Sequence, residues 1–417
     1  MLVGYARREI TPPLPFPLAG YAHRQERLAE AVRDPLAARA VAFSDGAHTA
    51  VVISTDLLLM SAPLREAVEA GMRCAGVKLD GLLLAATHTH SAAGGYVDRP
   101  SAALFMGRYR QTIFDKLAAG ITAAAADAVR DLAPATLSIG TAETTNLNWN
   151  RRHKRGPVDR RLTVVTVRRG KRNLRVISFG AHPVVVAERE HHLASACWPG
   201  ELCKSYEEEG DDAMVIVGPV GGVNVFFPEG PLDVEVHLRL LLRLMREEAD
   251  RAVAASEPVT ATGGVAFGAG EMPLHVVLPR LFPDRKAWLD GLLLPVRLYA
   301  RRFARGAVRE GESTQVPVVR AGELIFTGFP ADLGAGVGLA ARRQIEEAGF
   351  RAAAVASQTG DYVGYVHLPD DYERYEEDNK EMRGMTIYEN ALALTGRDTG
   401  LRLLEAFGRG LAAVQRK

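Results

Sequence analysis

Cysteine is scarce. Cys74, Cys197 and Cys203 are the three in 417 residues, an odd and sparse count that makes no disulfide framework. Cys197 and Cys203 are too far apart for a CxxC pair, so nothing calls for an oxidising compartment. An excess of charge is missing as well. The 51 Lys and Arg stand against 50 Asp and Glu, for a net charge of +1, which excludes a general electrostatic pull on nucleic acid or anionic lipid. No run approaches the ~18 apolar residues of a membrane span, so no transmembrane segment is expected. The opening MLVGYARREITPP has no apolar core behind a basic head. That argues against a secretory signal and makes a cytoplasmic location the expectation. Internal repeats, low-complexity linkers and Pro/Gly/Ser-rich boundaries are also missing, so residues 1–417 read as one large domain.

What is present is ordinary globular composition, 47% hydrophobic and 24% charged. Short apolar runs alternate with helical periodicity from end to end. Val51–Thr55 reads as a buried strand and Ala62–Cys74 as a helix, with a strand over Leu82–Ala86 and a long Ala-rich helical region over Ala102–Asp131. Strands follow near Leu162–Arg168, Leu174–Phe179 and Met214–Val217, then a helix over Pro231–Ala254. Leu324–Thr327 and Ala352–Ser357 are later strands, and Tyr388–Val414 is a closing helix. This is the pattern of an α/β protein with mixed sheets flanked by helices. Two segments stand apart. Leu278–Arg305 carries Trp288, a triple leucine and clustered arginines, and reads as a helical excursion or as a lid with an apolar docking surface. Asp370–Arg383 is dense in charge and reads as a solvated insertion.

The chemistry-bearing residues share an address. In open α/β sheets, ligands gather outside the carboxyl ends of strands. His88 and His90 leave such an end in ATHTHSAAGGY, and side chains two apart on an extended chain face the same way. The small-residue turn that follows lets backbone approach a ligand closely. His182 leaves the next such strand in FGAHPVVV. Asp332 follows Leu324–Thr327, Tyr362 and Tyr365 follow Ala352–Ser357, and Asp56 follows Val51–Thr55. Each also has a plainer reading: Asp332 as a helix cap, Tyr365 as core, Asp56 as a loop hydrogen-bonder. Histidines from two strand ends with a further oxygen donor fit a catalytic zinc site, which leaves one position for water.

These motifs, taken in order, resemble the catalytic domain of the neutral/alkaline (non-lysosomal) ceramidase family. REITPPLPFPLAGYA and VVISTDLL resemble the family's opening segments, and THTHSAAGGY is similar to its HTHSGPGG. NWNRRHK, GAHPVVV, VGPVGGVN, GFPADL, DYVGYV and IYENA resemble later family segments in the same order. The resemblance implies a single ceramidase-like α/β domain and one Zn2+ per chain. It implies zinc ligands at His88, His182, Asp332 and Tyr365, the last preferred over Tyr362 by its spacing to Tyr372. His90 would sit beside the metal and exchange a proton with its water. Arg151 and Tyr388 match the groups that face the substrate carbonyl and oxyanion.

The departures from the family pattern are specific. The carboxylate ligand is Asp332 rather than Glu. Asn224 stands where the family has a serine, and Gly222 stands where it has a neighbouring aspartate. Cys197 replaces an aspartate and reads as a small buried residue. A C-terminal β-sandwich like that of the true ceramidases is not expected. The resulting expectation is a zinc-dependent hydrolase of an amide bond in a small N-acyl compound, with metal-activated water as nucleophile. An apolar acyl chain would dock near Leu278–Arg305, and no nucleic-acid partner is expected. Two other readings keep the same residues: an amide-forming acyltransferase with an amine nucleophile, and an inactive relative acting as a binding protein.

Overall fold

The computed structural model describes residues 1–21, 28–153, 155–170, 172–226, 233–278, 287–378 and 388–416. Three main sheets dominate it. The first runs in the order Gly81–Ala86, Thr49–Thr55, Ala37–Ser44, Leu2–Glu9, Ala133–Pro134. The second runs Asp212–Val217, Arg172–Phe179, Arg161–Arg169, Thr136–Glu143, Glu257–Val259, and the third Val265–Pro273, Ser313–Ala321, Leu324–Gly328, Arg351–Ala356.

Each sheet ends in one parallel pair joined by a crossover helix. Thr49–Thr55 and Gly81–Ala86 are joined by Ala62–Cys74. Arg172–Phe179 and Asp212–Val217 are joined by a connection that contains Cys197–Glu207. Leu324–Gly328 and Arg351–Ala356 are joined by Ala335–Glu347. Parallel neighbours require such a crossover, and a helix is its usual form. The strands of these pairs are apolar on both faces, as sheets covered on both sides demand.

The burial follows from this plan. The inner faces of all three sheets meet in one core that holds Val52, Leu83, Val176, Ile216, Phe326 and Ala354. The outer face of each sheet has its own helical cover. Ala62–Cys74 and Gln111–Arg130 cover the first, Cys197–Glu207 and Val234–Ala254 the second, and Ala335–Glu347 and Thr399–Gln415 the third. The carboxyl ends of the three parallel pairs thereby converge. Isolated bridges tie them there: Ala85 to Thr359, His182 to Asn224, and Gly221 to Gly334.

The expected elements are present, with three differences. The long helical region splits into Ala103–Met106 and Gln111–Arg130, and the closing helix into Tyr388–Ala391 and Thr399–Gln415. Both breaks fall at glycines with positive φ, Gly107 at 69° and Gly396 at 107°, where a helix cannot continue. The helix expected from Pro231 starts at Val234, because the Asp233 carboxylate accepts from the backbone N–H groups of Glu235 and Val236.

The charged segment from Asp370 is not simply solvated. Pro369–Asp378 is a helix that buries Asp371, Tyr372 and Tyr375, and Arg152 lies over the Tyr375 ring at 4.9 Å. Residues 379–383 of that segment lie outside the described residues. The Leu278–Arg305 excursion contains the helices Ala287–Leu292 and Leu294–Ala307, and its residues 279–286 are not described. No helix among the described residues is long and apolar enough to cross a membrane.

Candidate metal centre

The strand Gly81–Ala86 delivers His88 in an unusual backbone state, with φ at 63°. That left-handed conformation costs a non-glycine residue roughly 1–2 kcal/mol. Such strain persists where surrounding structure over-determines it, and it turns His88 and His90 onto each other. Their rings meet edge-on with centroids 4.8 Å apart, and their Nε2 atoms are 3.3 Å apart. His182 arrives from the second sheet with its ring centroid 4.9 Å from that of His88. Nitrogens of His88, His90 and His182 all lie within 4.8 Å of one another, and all three rings are buried.

Backbone carbonyls fix two of the tautomers. His88 Nδ1 lies 2.7 Å from the Leu58 carbonyl oxygen, and His182 Nδ1 lies 2.9 Å from that of Val223. A carbonyl only accepts, so both Nδ1 atoms carry the proton. Both Nε2 lone pairs then point into the cluster, the orientation that a carbonyl partner imposes on metal-binding histidines. His182 Nε2 is buried with no hydrogen-bond partner. Burial, aided by Arg151, holds the His182 ring neutral, with its pKa well below the ordinary histidine range.

Asp332 closes the cluster from the third sheet. Its Oδ1 is 3.0 Å from His88 Nε2, so an acceptor oxygen faces an acceptor nitrogen. Two such acceptors are held at that distance either by a shared proton or by a cation bound to both. Asp332 is not a helix cap, since Gly334 holds the N-cap position of Ala335–Glu347. Its carboxylate is aimed instead by two residues of the strand-end loop. Gln358 Nε2 donates to Oδ1 at 2.7 Å and Tyr362 donates its hydroxyl to Oδ2 at 2.8 Å. Gln358 also has positive φ, at 51°.

Arg151 forms the second layer. It donates from Nε to Glu389 Oε1 at 2.8 Å, from Nη1 to Asn224 Oδ1 at 3.0 Å, and from Nη2 to the Tyr365 hydroxyl at 3.4 Å. Asn224 is the backbone partner of His182, and Tyr365 that of Asp332. Arg151 thus bridges the two strand ends that carry a histidine and the carboxylate. Arg152 supports the same Glu389 from Nη1 at 3.2 Å. Its side chain explains Gly222: at φ 74°, a Cβ there would meet Arg152 Cδ at 2.4 Å, so no longer residue fits without moving the arginine.

The structure therefore gathers His88, His90, His182, Asp332, Arg151, Asn224 and Tyr365 at one place. The two tyrosines divide the work: Tyr362 bonds the Asp332 carboxylate, and Tyr365 reaches Arg151. The Tyr388 side chain lies outside the described residues. Cys197 is buried outside the cluster, and burial pushes its thiol up to about 11. Asp56, which shares the strand-end address, turns away and pairs with buried Arg39 at 2.9 Å.

Sequence reasoning passed over Gln358, Glu389 and Tyr21. The Tyr21 ring stands 4.8 Å from that of His90. Gln358 held a usable signal, since it directly follows the strand residue Ser357. A separate cavity of about 270 Å³, lined by Leu82, Phe267, Arg309 and Asp361 among others, lies behind the 358–362 loop and includes none of the clustered histidines.

The donor set suits a divalent first-row metal ion. Imidazole nitrogens with one carboxylate and no thiolate lie within zinc's range, and the unpartnered His182 Nε2 and the facing acceptors of His88 and Asp332 mark where an ion fits.

Comparison with known proteins agrees with this architecture. Residues 1–195 match the family model described as neutral/alkaline non-lysosomal ceramidase, N-terminal. The neutral ceramidase of Mycobacterium tuberculosis is 24% identical over 376 residues, covering 70% of this chain. The chain spans 59% of the length of that relative. The crystal structure of neutral ceramidase from Pseudomonas aeruginosa matches with a TM-score of 0.84 at 18% identity, covering 100% of this chain and 74% of that one. A structure titled as ceramidase complexed with C2 matches with a TM-score of 0.82, also at 18% identity, covering 100% and 75%. These two matches show the fold.

Proposed function

We propose that this ceramidase-like chain, which matches the neutral/alkaline ceramidase family over residues 1–195 and carries the neutral ceramidase fold along its length, is a metal-dependent hydrolase of an amide bond in an N-acyl compound. The observation that carries the reading is the pair of facing acceptors, His88 Nε2 and Asp332 Oδ1, 3.0 Å apart beside the unpartnered Nε2 of His182. His88, His182 and Asp332 would hold the ion, with a tyrosine hydroxyl from the 362–365 segment as the remaining donor. A bound zinc supplies a nucleophilic water at neutral pH and polarises a carbonyl.

The rest is the work of the chain's own groups. His90, whose Nε2 faces that of His88, is placed to take a proton from an attacking water and return it to the departing nitrogen. Arg151 turns its guanidinium toward the hydroxyl of Tyr365, where it can favour negative charge on a carbonyl oxygen. Glu389 and Asn224 keep that guanidinium fixed, so little reorganisation is needed as charge develops. Tyr388 is a further donor in this reading. Asn224 bonds Arg151 and positions it, so the family's serine is not needed as a nucleophile.

Ceramide-like N-acyl lipids are the first substrates to try, because the relatives are named ceramidases. The test is metal analysis of the purified chain and of His182→Ala, alongside turnover of a panel of N-acyl substrates. About one zinc per chain, lost with turnover in the variant, is the expected result. Full metal content in His182→Ala sinks the ligand assignment. A chain that takes up no zinc even when supplied sinks the hydrolase reading and favours a binding protein.

A further inference from the structure

Neighbouring strand positions form a row beside the metal centre. His182 pairs with Asn224 in a parallel bridge, and Asn224 pairs with Trp149 across the short ribbon of Asn148–Asn150 and Val223–Val225. Partners directly opposite each other in a ladder carry their side chains on the same face. The imidazole, the amide and the indole therefore stand side by side. Arg151 belongs to the same face. It lies two residues past Trp149, its backbone N–H donates to the Gly222 carbonyl at 2.9 Å, and its guanidinium reaches the Asn224 side chain.

The row runs from the interior to solvent. His182 is fully buried, Asn224 and Arg151 are half-buried, and Trp149 is 47% exposed. The opposite face of the ribbon is closed, with Asn148, Val223 and Val225 buried. Adjacent strands lie about 4.8 Å apart, so the Trp149 backbone stands roughly 10 Å from that of His182. An exposed indole is thus the outer end of a path whose inner end is a buried histidine of the centre. The indole is also fixed, because its Nε1 donates to the Val225 carbonyl at 3.2 Å. With that polar edge satisfied on the ribbon, Trp149 offers apolar ring to solvent.

The chemistry proposed above gives the path a direction. His90 returns a proton to the departing nitrogen, so the amine portion of a substrate lies on the His90 side, toward Tyr21. Arg151 faces the carbonyl oxygen. The acyl portion leaves the carbonyl carbon away from the nitrogen, along Arg151, Asn224 and Trp149. A charged acyl group would gain nothing from the indole there, whereas an aliphatic chain would lose water against it.

We propose that Trp149 is a specificity-determining residue whose indole carries the aliphatic acyl chain of the substrate beyond its first few carbons. The inference rests on the hydrolase reading for its direction, and it puts the acyl dock at the rim of the metal centre instead of at Leu278–Arg305.

The test uses straight-chain carboxylates, the acyl products of such a reaction, and needs no turnover. The full chain is incubated with zinc and freed of the excess. Acetate, hexanoate and decanoate are then titrated calorimetrically into wild type, Trp149→Phe and Trp149→Ala. Decylamine is the control for the amine side, and metal content is measured in each protein. Wild type should bind decanoate at least about tenfold more tightly than acetate. Trp149→Ala should lose about tenfold for decanoate and nothing for acetate, with its metal content unchanged. Trp149→Phe should keep most of the preference. Decanoate brominated near its chain end should quench a component of wild-type tryptophan emission that Trp149→Phe lacks.

Equal chain-length dependence in wild type and Trp149→Ala overturns the proposal. So does a wild type that binds none of the carboxylates, or a dependence on Trp149 confined to decylamine. Failure of the hydrolase reading looks different: a chain that takes up no zinc yet binds decanoate through Trp149 keeps the subsite and loses the metal.

Discussion

His88 and Asp332 stand 3.0 Å apart through Nε2 and Oδ1. His88 Nδ1 lies 2.7 Å from the Leu58 carbonyl, so without a cation this contact is repulsive unless a second proton bridges it. Where no second proton bridges the pair, ion binding relieves the repulsion. Asp332→Asn tests this, since an amide can donate to Nε2. We expect the variant to bind zinc about 100-fold more weakly, while its metal-free form melts no lower than wild type. A metal-free variant that melts clearly lower would mean that the pair is already satisfied.

The strain at His88 separates its backbone role from its side-chain role. Alanine and glycine at 88 both remove the imidazole, but only glycine is at ease with φ near 63°. His88→Gly should therefore be about 1 kcal/mol more stable than His88→Ala in denaturant titrations with chelator present. Neither variant should hold the metal. Equal stability would show that the left-handed backbone does not survive loss of the ring.

Two buried histidines contribute to the pH response of the metal-free protein. Burial depresses His182 and His367 well below the ordinary histidine range. The unfolded chain takes up their protons near pH 6.5, while the folded state does not. Stability is thus fully present above about pH 7 and falls as the solution is acidified through about 6.5, by up to about 1.4 kcal/mol per pH unit for each group. Thermal melts in chelator should show this slope, and His367→Asn should make it shallower. Equal slopes in wild type and His367→Asn would contradict burial of the neutral His367 ring.

Asp56 is the control for position without function. Its carboxylate accepts from the Ala37 backbone and from Arg39, away from the histidines. Asp56→Ala leaves buried Arg39 with Glu207, 3.8 Å away, as its remaining acidic partner and should cost about 3 kcal/mol in stability. Its folded fraction should still bind one metal. Loss of metal without loss of stability would place Asp56 in the centre after all.

That contrast shows how far the sequence could be read. The parallel pairs were legible because strands buried on both faces are unbroken apolar runs, as in Val51–Ile53 and Leu82–Ala85. The strand-end rule then located His88, His182 and Asp332. It gave Asp56 the same weight, because an address does not say which way a side chain turns. The antiparallel strands were harder. Ala37–Ser44 has its apolar run interrupted by a buried arginine, and Val265–Pro273 is broken by Gly268 and Gly270. Glu389 had no local signal: its role comes from Arg151 and Arg152, far away in the chain. Gln358 could have been found by extending the strand-end rule one residue past Ser357.

The three sheets each lead into one member of the centre, and each has its own helical cover. His88, His182 and Asp332 are therefore strangers until the last docking step. Loops this long make that step slow, because their closure entropy precedes any contact that repays it. An ion with affinity for this trio would recognise only the finished assembly, and would stabilise the docking of the sheets rather than any one of them. Metal uptake during refolding would then be a clock for assembly: sheet formation precedes it, and resistance to proteolysis across the seams between sheets arrives with it.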